Sequence, residues 1–546
     1  MARQDGVSDA EGADGADVAD VIVVGFGVAG ACAALEAAEA GADVLVLDRF
    51  GGGGASAVSG GVVYAGGGTG PQRAAGVDDS VDAMYDYLRL EAGDVVSART
   101  LRRFCAESAG MIEWLEERGV PFEGSLCPVK TSYPNDDYYL YYSGSEAAGG
   151  FRDTAKPAAR GHRVRGKGTS GKVLFTRLAA AARGRGVRVL PRSTARALVV
   201  AGDGTVTGVR VSTLRDAPPW ARAAHTVLGR YSAKPGLYVP ALRKILQRGV
   251  EALERRHGRE AELTARRGVV LAAGGFVANR AMLREHAPAY RGGLALGTAG
   301  DDGSGIRLGV SAGGATAELD RVSAWRFLTP PSAFLGGVLV DEHGRRFIDE
   351  SRYGAAVGEA MVTRCDRRGW LLVDDAIVRQ ARREARRESQ WFQWLQTLYL
   401  LRAGRVSAGS VAEVARRAGV DADGLTATVR EYGGPGPDPL GKPAEFVRPL
   451  ASPPFSLIDV SIRPNPGYPC PMLTLGGLVV DEDTGRVLDE RGGAISGLYA
   501  AGRTAVGICS RSYVSGLSLA DCVFSGRRAG KHSAAGAGRD KNENVF

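Results

Sequence analysis

No stretch of 18 consecutive apolar residues occurs in this chain of 546 residues, which argues against a helix long enough to cross a bilayer. The longest candidates, such as Gly268 to Ala278 (GVVLAAGGFVA), are short and broken by glycine, so they read as buried strands and turns. Cysteine is sparse: Cys32, Cys105, Cys127, Cys365, Cys470, Cys509 and Cys522 are scattered, odd in number and never spaced as CxxC. That pattern argues against a disulfide framework and against a zinc or iron–sulfur site, and no metal is expected. Residues 1–17, rich in Ala, Gly and Asp, have no apolar core and no twin arginine. They read as a disordered, solvated tail and not an export signal, so a cytoplasmic location is expected. Charge is barely one-sided, at +8, with arginine-rich patches such as Ala376 to Glu388 as its main source. The glutamates interleaved there make that stretch a solvated helix face, and no nucleic-acid partner is expected.

What the chain does have is glycine at particular places. Val21 to Asp48 reads VIVVGFGVAGACAALEAAEAGADVLVLD: an apolar strand, a Gly25-x-Gly27-x-x-Gly30 turn, an alanine-rich helix, a second apolar strand and a terminal carboxylate. A diphosphate approaches backbone only where side chains are missing, and a helix N-terminus best meets its charge. Asp48 ends the second strand, where its carboxylate can accept from the ribose hydroxyls of an adenosine and disfavours a phosphorylated ribose. A second cluster follows, Gly51 to Gly54, then Ala55 to Gly61 (ASAVSGG) and Gly66 to Thr69 (GGGT). So many backbone amides and hydroxyls suit an extended diphosphate and ribityl chain, which flavin enzymes require and nicotinamide enzymes do not.

Residues 80–118 and Gly171 to Arg183 have helical spacing of apolar residues. A strand pair is expected at Val187 to Leu190 and Ala197 to Val200, with a turn at Gly202-Asp203-Gly204 before Val206 to Val211. Val269 to Phe276 reads as a buried strand ending in small residues, and Gly300 to Gly305 opens another helix. From about 280 to 449 the glycine signatures thin and longer helices appear, including Trp391 to Tyr399; near the C-terminus the strand–glycine–helix idiom returns. The expected architecture is α/β, a split Rossmann-like domain (18–279 and 450–533) around an inserted α+β capping domain (280–449), with a second tail at 534–546.

Several segments together resemble one superfamily over nearly the whole chain: Gly25 to Gly30, Ser59 to Tyr64, Gly66 to Thr69, Thr131 to Pro134, Leu140 to Gly144, Ala272 to Phe276, Gly344 to Phe347 and Gly497 to Arg503. They resemble flavoproteins related to fumarate reductase and succinate dehydrogenase, and more closely the 3-ketosteroid dehydrogenases. The resemblance implies FAD, held in the first part of the chain by Gly25, Gly27, Val28, Ala29, Gly30, Asp48 and Arg49, then by Gly54, Ala55, Ser56, Ser59, Gly60 and Gly61. It further implies contacts from Ala195, Ala273, Gly274 and Asp302, and from Gly502, Arg503, Gly516, Leu517, Ser518 and Leu519. With one GxGxxG unit in the right setting, no NADH domain is expected, and electrons leave to an external acceptor or to O2.

Dicarboxylate reductases of this kind resemble the chain less well. One of their histidines falls where Met472 to Gly477 reads MLTLGG, and another near Arg326 to Pro330, and neither is present. Succinate dehydrogenases tether FAD through a histidine in the early serine-rich loop; Ala55 to Gly61 has none, so non-covalent flavin is expected. Tyr513-x-Ser515-Gly516 resembles the Tyr-x-Ser-Gly of the 4-dehydrogenase subgroup. The resemblance thus implies desaturation beside the ketone of a small hydrophobic, cyclic substrate, with hydride passing to flavin N5 and a proton to a tyrosine. Tyr513 is the expected base, helped by Ser515 and by the helix N-terminus that follows, unless Ser515 is only that helix's N-cap. A second tyrosine from the insertion is implied, but Ser323 to Phe334 offers Trp325 and Phe327, and Tyr353 is the nearest. Trp391, Phe392 and Trp394 are expected in an apolar lid. The alternatives are an enoate or dicarboxylate reductase, another cyclic-ketone dehydrogenase, and a flavoprotein that binds without turnover.

Overall fold

The computed structural model describes residues 17–536. Most of both expected tails lies outside these residues, and their inner edges are corrected. The Asp17 carbonyl accepts from the Thr264 amide at 2.8 Å and its carboxylate pairs with Arg215 at 3.2 Å, while Ala534 is buried inside the last helix.

Val18–Val24 (β1) and Val44–Asp48 (β2) pair in parallel, Val21 opposite Val44, and Val28–Glu39 (α1) crosses between them. Their apolar runs, Val21 to Val24 and Val44 to Leu47, are buried on both faces, as a parallel strand between layers requires. Arg188–Pro191 (β3) joins β2 in parallel. The expected pairing of this strand with the next is therefore corrected: Arg192, at φ 57°, turns the chain away. Ser193–Val200 (β4) instead forms an antiparallel hairpin with Val206–Thr213 (β5) across the Gly202-Asp203-Gly204 turn. Pro219–Ala233 (α2) and Pro240–His257 (α3) form a helical hairpin before Arg259–Leu271 (β6). The outer half of β6 alternates exposed and buried beside β5, and its last four residues are buried beside β1. Arg486–Leu488 (β7) and Ala494–Ala500 (β8) complete the order β7-β8-β6-β1-β2-β3, with the β4–β5 hairpin attached through β5.

The insertion has its own antiparallel sheet, ordered Val338–Val340, Trp370–Val373, Phe455–Asp459, Arg405–Ala408, and helices that include Trp391–Arg402 (α4). Because Phe455–Asp459 is central in that sheet and its core reaches Met472, we propose a domain edge beyond 459 in place of 449/450. The chain then returns to the first domain through Leu517–Ala535 (α5), which packs on α1. A Cβ at Gly530 would stand 2.2 Å from the Ala33 carbonyl oxygen, so the two helices touch backbone to backbone. Among the described residues no helix is long and apolar enough to cross a membrane.

Candidate active site

One cavity of about 630 Å³ runs from the β1–α1 turn to the inserted domain. At its first end, Gly25 has φ +102°, and a Cβ there would fall 2.5 Å from the Ala272 carbonyl oxygen. The N-cap of α1 is Gly27, which has no side chain to cap with, and the helix N-terminus lines the cavity at Gly27, Val28 and Ala29. The Ser56 hydroxyl oxygen accepts from the Val28 amide at 3.2 Å, which ties the second glycine cluster to this turn.

Asp48 does more than wait for a ribose. Its Oδ1 accepts from the amides of Phe50, Gly51 and Gly52 at 2.8, 2.9 and 2.9 Å, and its Oδ2 accepts from Phe26 at 3.1 Å. A carboxylate offers about four acceptor positions, so Oδ2 retains one for a ligand hydroxyl. Arg49 forks onto Glu254 at 2.8 and 3.0 Å, which moors α3 over the cavity. Burial opposes the Glu254 charge, but hydrogen bonds from His225 and Arg49 outweigh it and bring the carboxyl down to about 2. Arg503 lines the cavity and pairs with Asp301 at 2.5 Å; its Nη1 is buried and has no hydrogen-bond partner among the described residues. A helix start whose N-cap residue is glycine, glycine walls and the Arg503 guanidinium fit FAD, which brings a diphosphate and a ring system rich in acceptors.

Most residues expected to hold the cofactor line this cavity, Ala195, Ala273, Gly274, Asp302, Gly516, Ser518 and Leu519 included. Gly30, Gly502 and Leu517 do not. A Cβ on Gly30 would lie 1.9 Å from the Gly25 carbonyl oxygen, so Gly30 allows α1 to close on the turn from behind; Gly502 backs onto Ala29, and Leu517 is core. Asp301, which orients Arg503, escaped the sequence reading because Asp302 beside it matched the same acidic signal.

At the other end Tyr513, Ser515 and Tyr353 come together on the wall. Trp325 stacks on Tyr513 with ring centres 5.1 Å apart and planes at 21°, Tyr353 lies 6.4 Å from Tyr513, and Phe327 packs on Tyr353 at 5.6 Å. Trp325 and Phe327 therefore stack against the phenols, and Tyr353 is the phenol that the insertion supplies. Ser515 is not the cap of α5: that position is Gly516, in the left-handed region, with no side-chain cap. The Ser515 hydroxyl is 3.0 Å from the Tyr141 hydroxyl and offsets a small part of the rise that burial imposes on the Tyr353 phenol. Tyr141 is the residue missed, visible in sequence only as part of Leu140 to Gly144. The expected lowering of the Tyr513 pKa is also corrected. Burial and the neighbouring Cys509 push it up, and the Gly516 amide and Arg503 offset only part of that. Of the three lid aromatics only Phe392 lines the cavity; Trp391 and Trp394 face outward.

Similarity to known proteins covers both ends of this site. The model of the FAD binding domain family matches residues 20–516. The chain is 38% identical over 492 residues to a 3-oxo-5-alpha-steroid 4-dehydrogenase of Comamonas testosteroni, covering 88% of this chain and 92% of that one. The crystal structure of 3-ketosteroid-delta4-(5alpha)-dehydrogenase from Rhodococcus jostii RHA1, solved with 4-androstene-3,17-dione, matches 95% of this chain and 97% of its own, with 32% identity and a TM-score of 0.79. A 3-ketosteroid delta1-dehydrogenase from Sterolibacterium denitrificans shares the fold, with a TM-score of 0.66 at 20% identity and coverage of 95% and 100%.

Proposed function

This chain belongs to the FAD binding domain family, and from that premise we propose that it desaturates a carbon–carbon bond beside the ketone of a steroid-like, polycyclic substrate. When bound, FAD supplies the acceptor for the two electrons and the hydrogen that leave the β carbon. The protein's own residues must remove the α proton and polarise the carbonyl. Burial raises all three phenols, Tyr141 and Tyr353 well above the ordinary tyrosine range. Of these, Tyr513 has the Gly516 amide to favour its anion, which makes it the base. Tyr353 keeps its proton and donates to the carbonyl, beside the Ser515 hydroxyl that Tyr141 in turn holds. Trp325 and Phe327 supply the flat apolar walls, and no histidine lines the cavity among the described residues, which disfavours a dicarboxylate substrate. The reading includes non-covalent flavin, an external acceptor or O2, and a cytoplasmic setting.

The observation that carries this reading is the convergence of Tyr513, Ser515 and Tyr353 on the same cavity as the Gly25 to Ala29 cradle. Anaerobic addition of a saturated 3-ketosteroid should bleach the flavin. Tyr513→Phe should bind flavin normally and lose roughly 10²–10⁴-fold in turnover, with exchange of the substrate α-deuterium abolished; Tyr353→Phe should lose roughly 10²-fold and retain some exchange. Reoxidation of reduced flavin by an enoate, with no bleaching by any ketone, would refute the proposal.

A further inference from the structure

The hairpin α2–α3 lines the cavity through Arg230, Ser232, Leu237 and Tyr238; Ser232 and Leu237 are buried, whereas Arg230 and Tyr238 are exposed and form the rim there. Its tip turns Tyr231, Tyr238, Val239 and Ile245 toward solvent, with Ile245 65% and Tyr238 57% exposed. Aliphatic and aromatic side chains grouped this way on a surface mark a contact to be made. The same tip exposes Lys234, Lys244 and Arg248. Between Pro219 and His257 eight Lys and Arg stand against two Glu, an excess of six in a chain whose formal charge is +8. One of those two, Glu254, is buried and neutralised by Arg49. Ala376 to Glu388, the patch that sequence inspection emphasised, has five arginines against two glutamates.

Helix α4 forms another part of the rim. Phe392 and Gln396 face the cavity, whereas Trp391 is 70% exposed and Trp394 and Leu395 also point outward. A continuous chain of contacts links the two helical elements. Lys234 Nζ donates to Thr169 Oγ1 at 3.1 Å, the Tyr133 hydroxyl donates to the adjacent Gly168 carbonyl at 2.9 Å, and Gln393 Nε2 donates to the Tyr133 carbonyl at 3.3 Å. Both exposed patches therefore lie on connected elements that line one cavity.

We propose that this rim docks on an anionic phospholipid surface, the apolar tip and Trp391 entering the headgroup boundary while Lys234, Lys244 and Arg248 meet the phosphates. A second copy would bring the same positive charge against itself, and a nucleic acid would leave Val239 and Ile245 unburied. The docking stands apart from the dehydrogenase reading; only its corollary, that an apolar substrate enters from the lipid side, rests on that reading.

Flotation of the FAD-loaded protein with phosphatidylcholine vesicles, with and without phosphatidylglycerol, tests it. The protein should float only with the anionic vesicles, less so as salt rises. Lys244→Gln with Arg248→Gln should weaken partition roughly twenty-five-fold, at about fivefold per basic side chain. Tyr231→Ser, Val239→Ser and Ile245→Ser together should stop flotation while the flavin absorbance and circular dichroism keep their native form. Wild-type protein that stays at the bottom with anionic vesicles, or both variants floating like wild type, overturns the proposal. So does a lipid-free dimer that the apolar triple variant converts to monomer, because the patch would then belong to a second copy. Flavin bleaching is not read in this experiment, so its failure is separate from failure of the desaturation chemistry.

Discussion

Tyr513 lies under opposed influences. Its burial and Cys509 favour the neutral phenol; the Gly516 amide and Arg503 favour the anion, and the first pair prevails. A base held mostly protonated at neutral pH gains active form as alkali is added. kcat/KM should therefore climb about tenfold per pH unit on the alkaline side, and a Phe at position 513 should remove that limb along with most of the activity. A flat alkaline profile in the wild type would assign proton removal elsewhere. Ser515 illustrates how one atom's position separates two roles. Its hydroxyl reaches Tyr141, not the α5 amides, so it organises phenols and does not cap a helix.

At the level of elements, α1 depends on Gly30. Gly30→Ala forces a methyl against the Gly25 carbonyl oxygen, which should cost about 1–3 kcal/mol or more and empty the flavin site, read as a lower Tm and colourless protein. The small sheet formed by Val62–Tyr64, Leu140–Tyr141 and Gly161–Arg163 places Tyr141 beside Ser515 and contains a buried histidine. His162 Nδ1 lies 3.0 Å from the Arg160 carbonyl, to which it must donate, so Nε2 accepts from the Thr69 hydroxyl at 2.7 Å. Burial lowers this imidazole to about 4 despite the Arg160 carbonyl and Asp79. The unfolded chain therefore binds the extra proton first. The stabilisation is complete above the ordinary histidine value and fades as pH falls from there toward about 4, a loss of roughly 3 kcal/mol. Urea midpoints measured between neutrality and about pH 5 should fall less steeply in His162→Gln. Equal slopes would remove His162 from the acid response.

Across the whole molecule, the site exists only when the insertion sits on the dinucleotide domain, and Gln390 is one clasp between them. Its Nε2 donates to Asp136 Oδ1 at 2.8 Å and to the Pro134 carbonyl at 3.1 Å. Gln390→Ala should loosen that closure and raise KM by up to roughly thirtyfold, as expected for two lost hydrogen bonds of about 1 kcal/mol each, with flavin content unchanged. An unaltered KM would show that the insertion is held by its other contacts. The sheet around Phe455–Asp459 adds to this view, since its strand pairing continues past the place where the composition changes.

Local rules made the cofactor end legible from residues alone. The close approach of Gly25, Gly27 and Gly30, the terminal carboxylate at Asp48 and the unbroken valine and leucine runs depend on spacings within one β–α–β unit, which the order of residues states directly. The hairpin at Gly202-Asp203-Gly204 and the start of α5 at Leu517 were legible for the same reason. What the amino-acid order could not determine was which distant groups meet. Tyr141 beside Ser515, Arg503 on Asp301, Trp391 outside instead of in the lid, and β3 on β2 instead of β4 all join or separate residues far apart along the chain or turn on one backbone angle. The ionisation of Tyr513 belongs with these. A helix N-terminus is visible in sequence, but burial, the larger influence on that phenol, is set by everything folded around it.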